Sequence, residues 1–354
     1  MGARIPRMKL SSWCVALACA SAVGCGSSDG APRDVARGAR AAEAARAVKA
    51  YVSSNLDELV SATVDLRAHA PIPDADGWNA VDDAAAVAAM RSSWKQARLA
   101  YERIEGAIAV LFPEIDRYTD ERYDAFLGEG TDTDLFDGEG VTGVHAVERI
   151  LFSDVTPPQV IAFESKLAGY VQARFPKTEA EARGFRDDLL GRLVSDVTKM
   201  RDDFAPLELD LAAALYGVMG SMTEQVEKMN RASLGAEESR YAQFTLADMR
   251  ANVEGGETLY AAFRPWLGDS ARGRALDTAV LAGFGRLDVA YGKLAGDALP
   301  TKPDSWSKAP SAPDRETPFG ALWVVVQREG DRTDPASLAS SMREAGDALA
   351  LEEP

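Results

Sequence analysis

From Val48 onward the chain is patterned for helices almost without interruption, and this narrows its fold more than any other feature. Val48, Tyr51, Val52, Leu56 and Leu59 recur at three- and four-residue steps. Val87, Met90, Trp94, Tyr101, Ile104, Ile108 and Leu111 repeat the pattern over a longer span. Such spacing collects apolar side chains on one face of an α-helix. Further helical runs cover 160–175, 179–204, 207–232, 237–266, 269–293 and 335–351. Strand-like alternation is scarce, and the β-branched "ALWVVVQ" (Ala321–Gln327) reads as a buried helical segment. The expectation is an all-α domain of long antiparallel helices, bundle-like. Two four-helix units would suit the length of 354 residues, although no internal repeat is visible.

Two stretches break the pattern. "GEGTDTDLFDGEGVTG" (Gly128–Gly143) is a loop rich in glycine and aspartate, and "LPTKPDSWSKAPSAPDRETP" (Leu299–Pro318) is a proline-rich connection. The first resembles a calcium loop only faintly. Starting from Asp132, the fifth and sixth positions are Phe136 and Asp137 and the twelfth is Gly143, where an EF-hand needs an acid or amide, a glycine and a glutamate.

The amino terminus carries Arg4, Arg7 and Lys9 ahead of an apolar run from Trp13 to Val23. That run is shorter than the ~20 residues a bilayer span requires and reads as a secretory signal peptide over residues 1–24. It ends in "AVGC", a match to a bacterial lipobox, so Cys25 is the expected lipidation site, followed by a flexible tether to residue 40. All three cysteines (Cys14, Cys19, Cys25) fall at or before that cut, so the mature chain has no intramolecular disulfide to form. Gly26 rather than an aspartate follows Cys25, which favours an outer-membrane over an inner-membrane address, the protein facing the periplasm or the cell surface. The net charge is −16, so nucleic acid is an unfavourable partner.

The chain holds two histidines. His145 lies in "GVHAVERILF" with Glu148 three residues later, on one helix face, and Thr142 is placed to cap that helix. Alone, the pair reads more readily as a hydrogen-bonded couple at a core edge than as metal ligands. "AYERIEGAIAVLF" adds Glu102 and Glu105, again at i, i+3 beside the apolar face. Like charges this close need a cation. It is a bound metal, or it is Arg98 or Arg103 on a solvated face, and the pattern leaves both open. Glu237 and Glu238 form a third acidic group, read as a helix start.

Together these stretches resemble the imelysin-like family, in its EfeO/EfeM-type branch. Gly143, His145 and Glu148 match its G-x-H-x-x-E mark. "YERIE" (Tyr101–Glu105) is similar to its Y-E-R-I-E-P segment, with Gly106 in place of proline. "LFPEIDRYTDER" (Leu111–Arg122) and "EESRYAQFTLADMRANVEG" (Glu237–Gly255) resemble two more, the latter with Gln243 where the family has histidine and Glu254 where it has aspartate.

The resemblance implies an all-helical domain over 41–354, built as two four-helix-bundle-like halves with a metal site between helices. It implies a component of a ferrous-iron uptake system, working with an iron permease or a peroxidase. Carried over by position, the metal ligands are Glu102, Glu105, Asp120 and Glu238, with His145 and Glu148 in the same or an adjacent site. Tyr101, Arg122, Arg240 and Tyr241 would orient them. Carboxylates with one imidazole suit iron, manganese, calcium or zinc, and the resemblance favours iron among them. Full-length EfeO-type proteins carry a cupredoxin domain, which the present sequence leaves no room for between Cys25 and the first helix, as in the short form. Peptidase activity is suggested for some relatives, but neither HExxH nor HxxEH occurs here. Residue 149 is Arg149, and the other histidine, His69, sits in the loop-like "RAHAPIP". The alternative is a binding module for a polysaccharide or a partner protein, bridged by metal.

Overall fold

The computed structural model describes residues 30–79, 81–111, 134–166 and 170–353. Cys25, Asp120 and Arg122 lie outside the described residues. Every regular element among those described is helical. Helix α1 spans Gly30–Ala68 and α2 spans Ala84–Leu111. The short α3 (Val144–Leu151) and α4 (Pro158–Glu164) follow. Helix α5 (Glu179–Arg183) passes through a π-helical stretch (Gly184–Leu189) into α6 (Leu190–Phe204). Next come α7 (Leu211–Ser233), α8 (Thr245–Ala261), α9 (Arg264–Leu267) and α10 (Ala271–Gly292). The chain closes with α11 (Ala312–Glu316), α12 (Pro318–Glu329) and α13 (Leu338–Leu349). None of the described helices is long and apolar enough to cross a membrane.

Local chemistry sets many of these boundaries. Asp210 accepts hydrogen bonds from the Ala212 and Ala213 amides at the start of α7, and Ser270 caps α10 at Gly273. Thr317 caps α12, with Pro318 at the first helical position. "ALWVVVQ" is helical, within α12. Helix α1 begins at Gly30, inside the segment expected to be tether, because the alanine- and arginine-rich sequence that follows is strongly helix-forming. The run expected over 160–175 stops at Glu164, and residues 170–177 form an irregular connection held by a hydrogen bond from the Trp78 amide to the Pro176 carbonyl.

The helices share one connected core that runs from Ala44 on α1 to Leu349 on α13. Pairs along the helices fix their directions. Glu58 meets Arg103 and His69 meets Ser93, so α1 and α2 are antiparallel. Lys49 reaches the Phe204 carbonyl and Arg67 the Arg186 carbonyl, so α1 and α6 are antiparallel too. Helix α7 opposes α2, with Lys228 beside Glu102 and Gly217 beside Gly106. Helix α8 opposes α7 and therefore runs parallel to α2, pairing Arg98 with Asp248 and Arg103 with Glu254. Helices α7 and α8 pack against α2 on one side and against α10, α12 and α13 on the other. This pair therefore touches helices on both sides of the core.

Candidate metal centre

Helix α2 presents Glu102 and Glu105 inward on one face, where both are buried. Helix α7 contributes Lys228 from the stripe Met222, Gln225, Lys228 and Met229, which is buried throughout. Helix α8 contributes Asp248 and Asn252. Glu238 comes from neither helix. The run expected from Glu237 onward becomes helical only at Thr245, and residues 238–243 form turns. Tertiary contacts override helix propensity here. The Glu148 carboxylate accepts from the Tyr241 and Ala242 amides at 3.0 and 2.8 Å, and Gln243 adopts a left-handed φ of 53°. The Gln243 amide donates to Glu237 and to the Arg240 carbonyl, locking the turn that aims Glu238 inward.

Close backbone approach makes this convergence possible. Gly106, which stands where the resembling segment has proline, faces Ser221 and Gly217. A Cβ there would lie 2.7 Å from Ser221 Cβ and 3.1 Å from the Gly217 carbonyl. Gly255 gives α8 the same access to α2 against the Arg103 carbonyl.

The result is a carboxylate cluster. Glu102, Glu105 and Glu238 each place an oxygen within 4.8 Å of the others, and all three are buried. An ammonium group lies among them. Lys228 Nζ is 2.8 Å from Glu102, 3.0 Å from Glu105 and 3.1 Å from Glu238. Arg98 pairs with Glu102, with Glu238 at 2.8 Å and with Asp248 at 3.5 Å. Asn252 Nδ2 donates to Glu102 at 2.7 Å and to Glu105 at 3.0 Å. Gln225 donates to Asn252, and the Tyr291 hydroxyl donates to Gln225.

The electrostatics follow from burial and proximity. Burial drives the Glu102 carboxyl well above its ordinary range, helped by Glu105 and Glu238 and opposed by Arg98 and Lys228. Burial does the same to Glu224, with Glu105 adding to it. For Glu238 burial is outweighed by Lys228, His145 and Arg98, which hold it well below the usual carboxylate range. Burial pushes Asp248 up to about 6 despite Arg98. For Lys228 burial opposes the charge, but Glu102, Glu105 and Glu238 raise it well above an ordinary lysine.

The remaining sequence candidates fall around this cluster. Helix α3 is buried on every side, and Gly143, not Thr142, occupies its N-cap with no side-chain cap. The glycine φ of 97° turns the preceding loop away in a conformation that a threonine cap does not adopt. His145 Nδ1 lies 2.7 Å from Glu148 Oε2, while Nε2 faces Glu238 at 3.9 Å. Glu148 thus bonds His145 through one oxygen and the turn amides through the other. Arg240 and Tyr241 both bond Glu164 on α4. Tyr101 lies under the Arg98 guanidinium at 5.6 Å. Arg103 pairs with Glu58 and Glu254, away from the cluster. His69 bonds Ser93 where α1 meets α2.

Glu102, Glu105, His145 and Glu238 all fall within the part of the chain that matches a known family. Residues 39–308 match the imelysin model, Peptidase M75. The chain belongs to the imelysin family. An "Iron uptake system component EfeO" from Yersinia pseudotuberculosis is 28% identical over 220 residues, 62% of this chain and 46% of that protein. Its namesake from Escherichia coli strain K12 is 25% identical over 221 residues, 62% of this chain and 46% of that protein. The imelysin-family chain described here thus spans about half the length of the curated relatives it matches.

Proposed function

We propose that this imelysin-family protein binds a metal cation, iron foremost, between α2, α7 and α8, as the periplasmic metal-binding component of an iron-uptake system. The observation that carries the reading is three buried carboxylates, two from α2 and one from the turn before α8, meeting around one cation position. Glu102, Glu105 and Glu238 would be the ligands, with His145 adjacent and Asp120 as a further candidate. Carboxylate oxygens suit iron, manganese, calcium or zinc and disfavour Cu(I). The His145–Glu148 hydrogen bond is the kind by which a ligating imidazole is oriented through its other nitrogen. The relatives named as iron-uptake components support iron as the cargo. An iron permease or a peroxidase is the partner that this reading proposes.

Calorimetry with Fe(II) under anaerobic conditions, and with Zn(II), tests this on the wild type and on Glu102→Gln/Glu105→Gln. The variant should lose at least ~100-fold in affinity, about 2.7 kcal/mol. Equal heats from a folded variant would instead make the cluster a buried salt-bridge network with no metal function. That second reading draws on the same geometry, because Lys228 and Arg98 already neutralise part of its charge.

The reading includes a lipid anchor at Cys25, favouring the outer membrane, on the strength of the "AVGC" sequence. Mass spectrometry of the mature amino terminus should find a diacylated Cys25. An unmodified terminus elsewhere would remove the anchor from the proposal.

A further inference from the structure

The position at the focus of the three carboxylates is held by a side chain of the protein itself. An ammonium group offers three donors, and Lys228 Nζ directs its contacts to Glu102, Glu105 and Glu238, one oxygen of each at 2.8–3.1 Å. The lysine side chain is only 3% exposed. A lysine and a metal ion cannot share that focus.

Two further features bear on what the lysine does when an ion arrives. Glu224 lies one helical turn before Lys228 on α7, with its Oε1 3.8 Å from Nζ. Its side chain is 31% exposed, against 0–7% for the three clustered acids. A flexible four-carbon stem can therefore carry the ammonium from the cluster towards solvent while the Glu224 carboxyl at i−4 stays within reach as a partner. The carboxylates, meanwhile, keep other holders. Arg98 grips Glu102 and Glu238, and Asn252, oriented by Gln225 and Tyr291, donates to Glu102 and Glu105. Each of the three acids thus has a partner besides the lysine.

We propose that Lys228 is a tethered internal cation that fills the carboxylate site in the metal-free protein and withdraws towards Glu224 when a divalent ion enters. The inference rests on the metal-binding reading of the same site and adds to it a means of reversibility. Binding becomes an exchange of ammonium for metal rather than the filling of a vacant cage, so affinity is held below what the carboxylates alone would give. The returning ammonium helps to expel the ion. Such a site suits a carrier that must hand its cargo on.

Two measurements test it. In anaerobic Fe(II) titrations, and in parallel Zn(II) titrations, Lys228→Met should bind at least ~10-fold more tightly than wild type, about 1.4 kcal/mol. The second measurement uses the wild-type protein, so it stands even if the variant folds poorly. Reductive dimethylation with formaldehyde and a borane reductant, read by peptide mass spectrometry, should leave Lys228 protected without metal and label it in the Zn(II)-saturated protein. A metal-binding wild type whose Lys228→Met variant binds no more tightly, or whose Lys228 stays protected at saturation, overturns the exchange while leaving the metal site intact. Binding by the variant alone would support a lysine that excludes the ion. Absence of binding by both proteins would overturn the exchange and the metal reading together.

Discussion

Arg98→Met should destabilise the metal-free protein by roughly 3–5 kcal/mol, the range for removing one partner from a buried ionic network. The Arg98 side chain is fully buried, and its guanidinium serves Glu102, Glu238 and Asp248 at once. Methionine keeps much of the aliphatic stem, so the loss reports charge rather than a cavity. The three acids would be left with Lys228 as their nearest cation, and some would take up protons to relieve the repulsion. A surface arginine gives the contrast. Arg40 pairs with Glu43 and Asp269 in exposed positions, and its replacement should cost far less. Denaturant unfolding of both variants makes the comparison. Added metal should restore part of the Arg98→Met loss, since a ligand at 100 times its Kd contributes about 2.7 kcal/mol. A loss below ~1 kcal/mol for Arg98→Met would mean that the cluster neutralises itself without the guanidinium.

How much of this centre could be read from the sequence depended on whether the signal was local. The spacing of Glu102 and Glu105 on one helix is local, and both acids do meet in the core. Arg98, four residues before Glu102, was the local alternative to a metal. It does pair with Glu102, but in a buried position rather than on a solvated face. The periodicity that gave an all-helical chain was equally local, and it holds through every regular element described.

Glu238 was harder to place. Its neighbours have good helix propensity, and only the carboxylate of Glu148, about ninety residues away in sequence, captures the Tyr241 and Ala242 amides and holds the turn open. No local pattern reveals that contact. The same bonds give Glu148, spaced like a ligand, a hold on the turn that carries Glu238.

Lys228 was missed although a signal was present. It stands in the register of Met222, Gln225 and Met229, where a charged residue on an apolar stripe must find a buried partner. Asn252 and Gln225 carry the same signal and form the chain of hydrogen bonds behind the acids. Polar residues on an apolar helical stripe were therefore the overlooked evidence for the site.

Gly255→Ala should also destabilise the protein, for a steric reason. Alanine is the better helix former by about 1 kcal/mol, so propensity alone predicts a gain within α8. Packing opposes it. A Cβ at this position would sit far inside van der Waals contact with the Arg103 carbonyl, which is backbone and has no rotamer to change. Helices α2 and α8 would have to separate, and inserted atoms that force such shifts cost about 1–3 kcal/mol or more. The separation would fall one turn from the contact between Asn252 and Glu102, so it should also loosen the carboxylates. Two readouts divide the possibilities. Thermal unfolding should show a lower Tm, and Zn(II) affinity of the folded fraction should fall with it. A variant with an unchanged or higher Tm would mean that the helices tolerate the extra carbon. A lower Tm with unchanged affinity would mean that the close approach stabilises the bundle without setting the geometry of the acids.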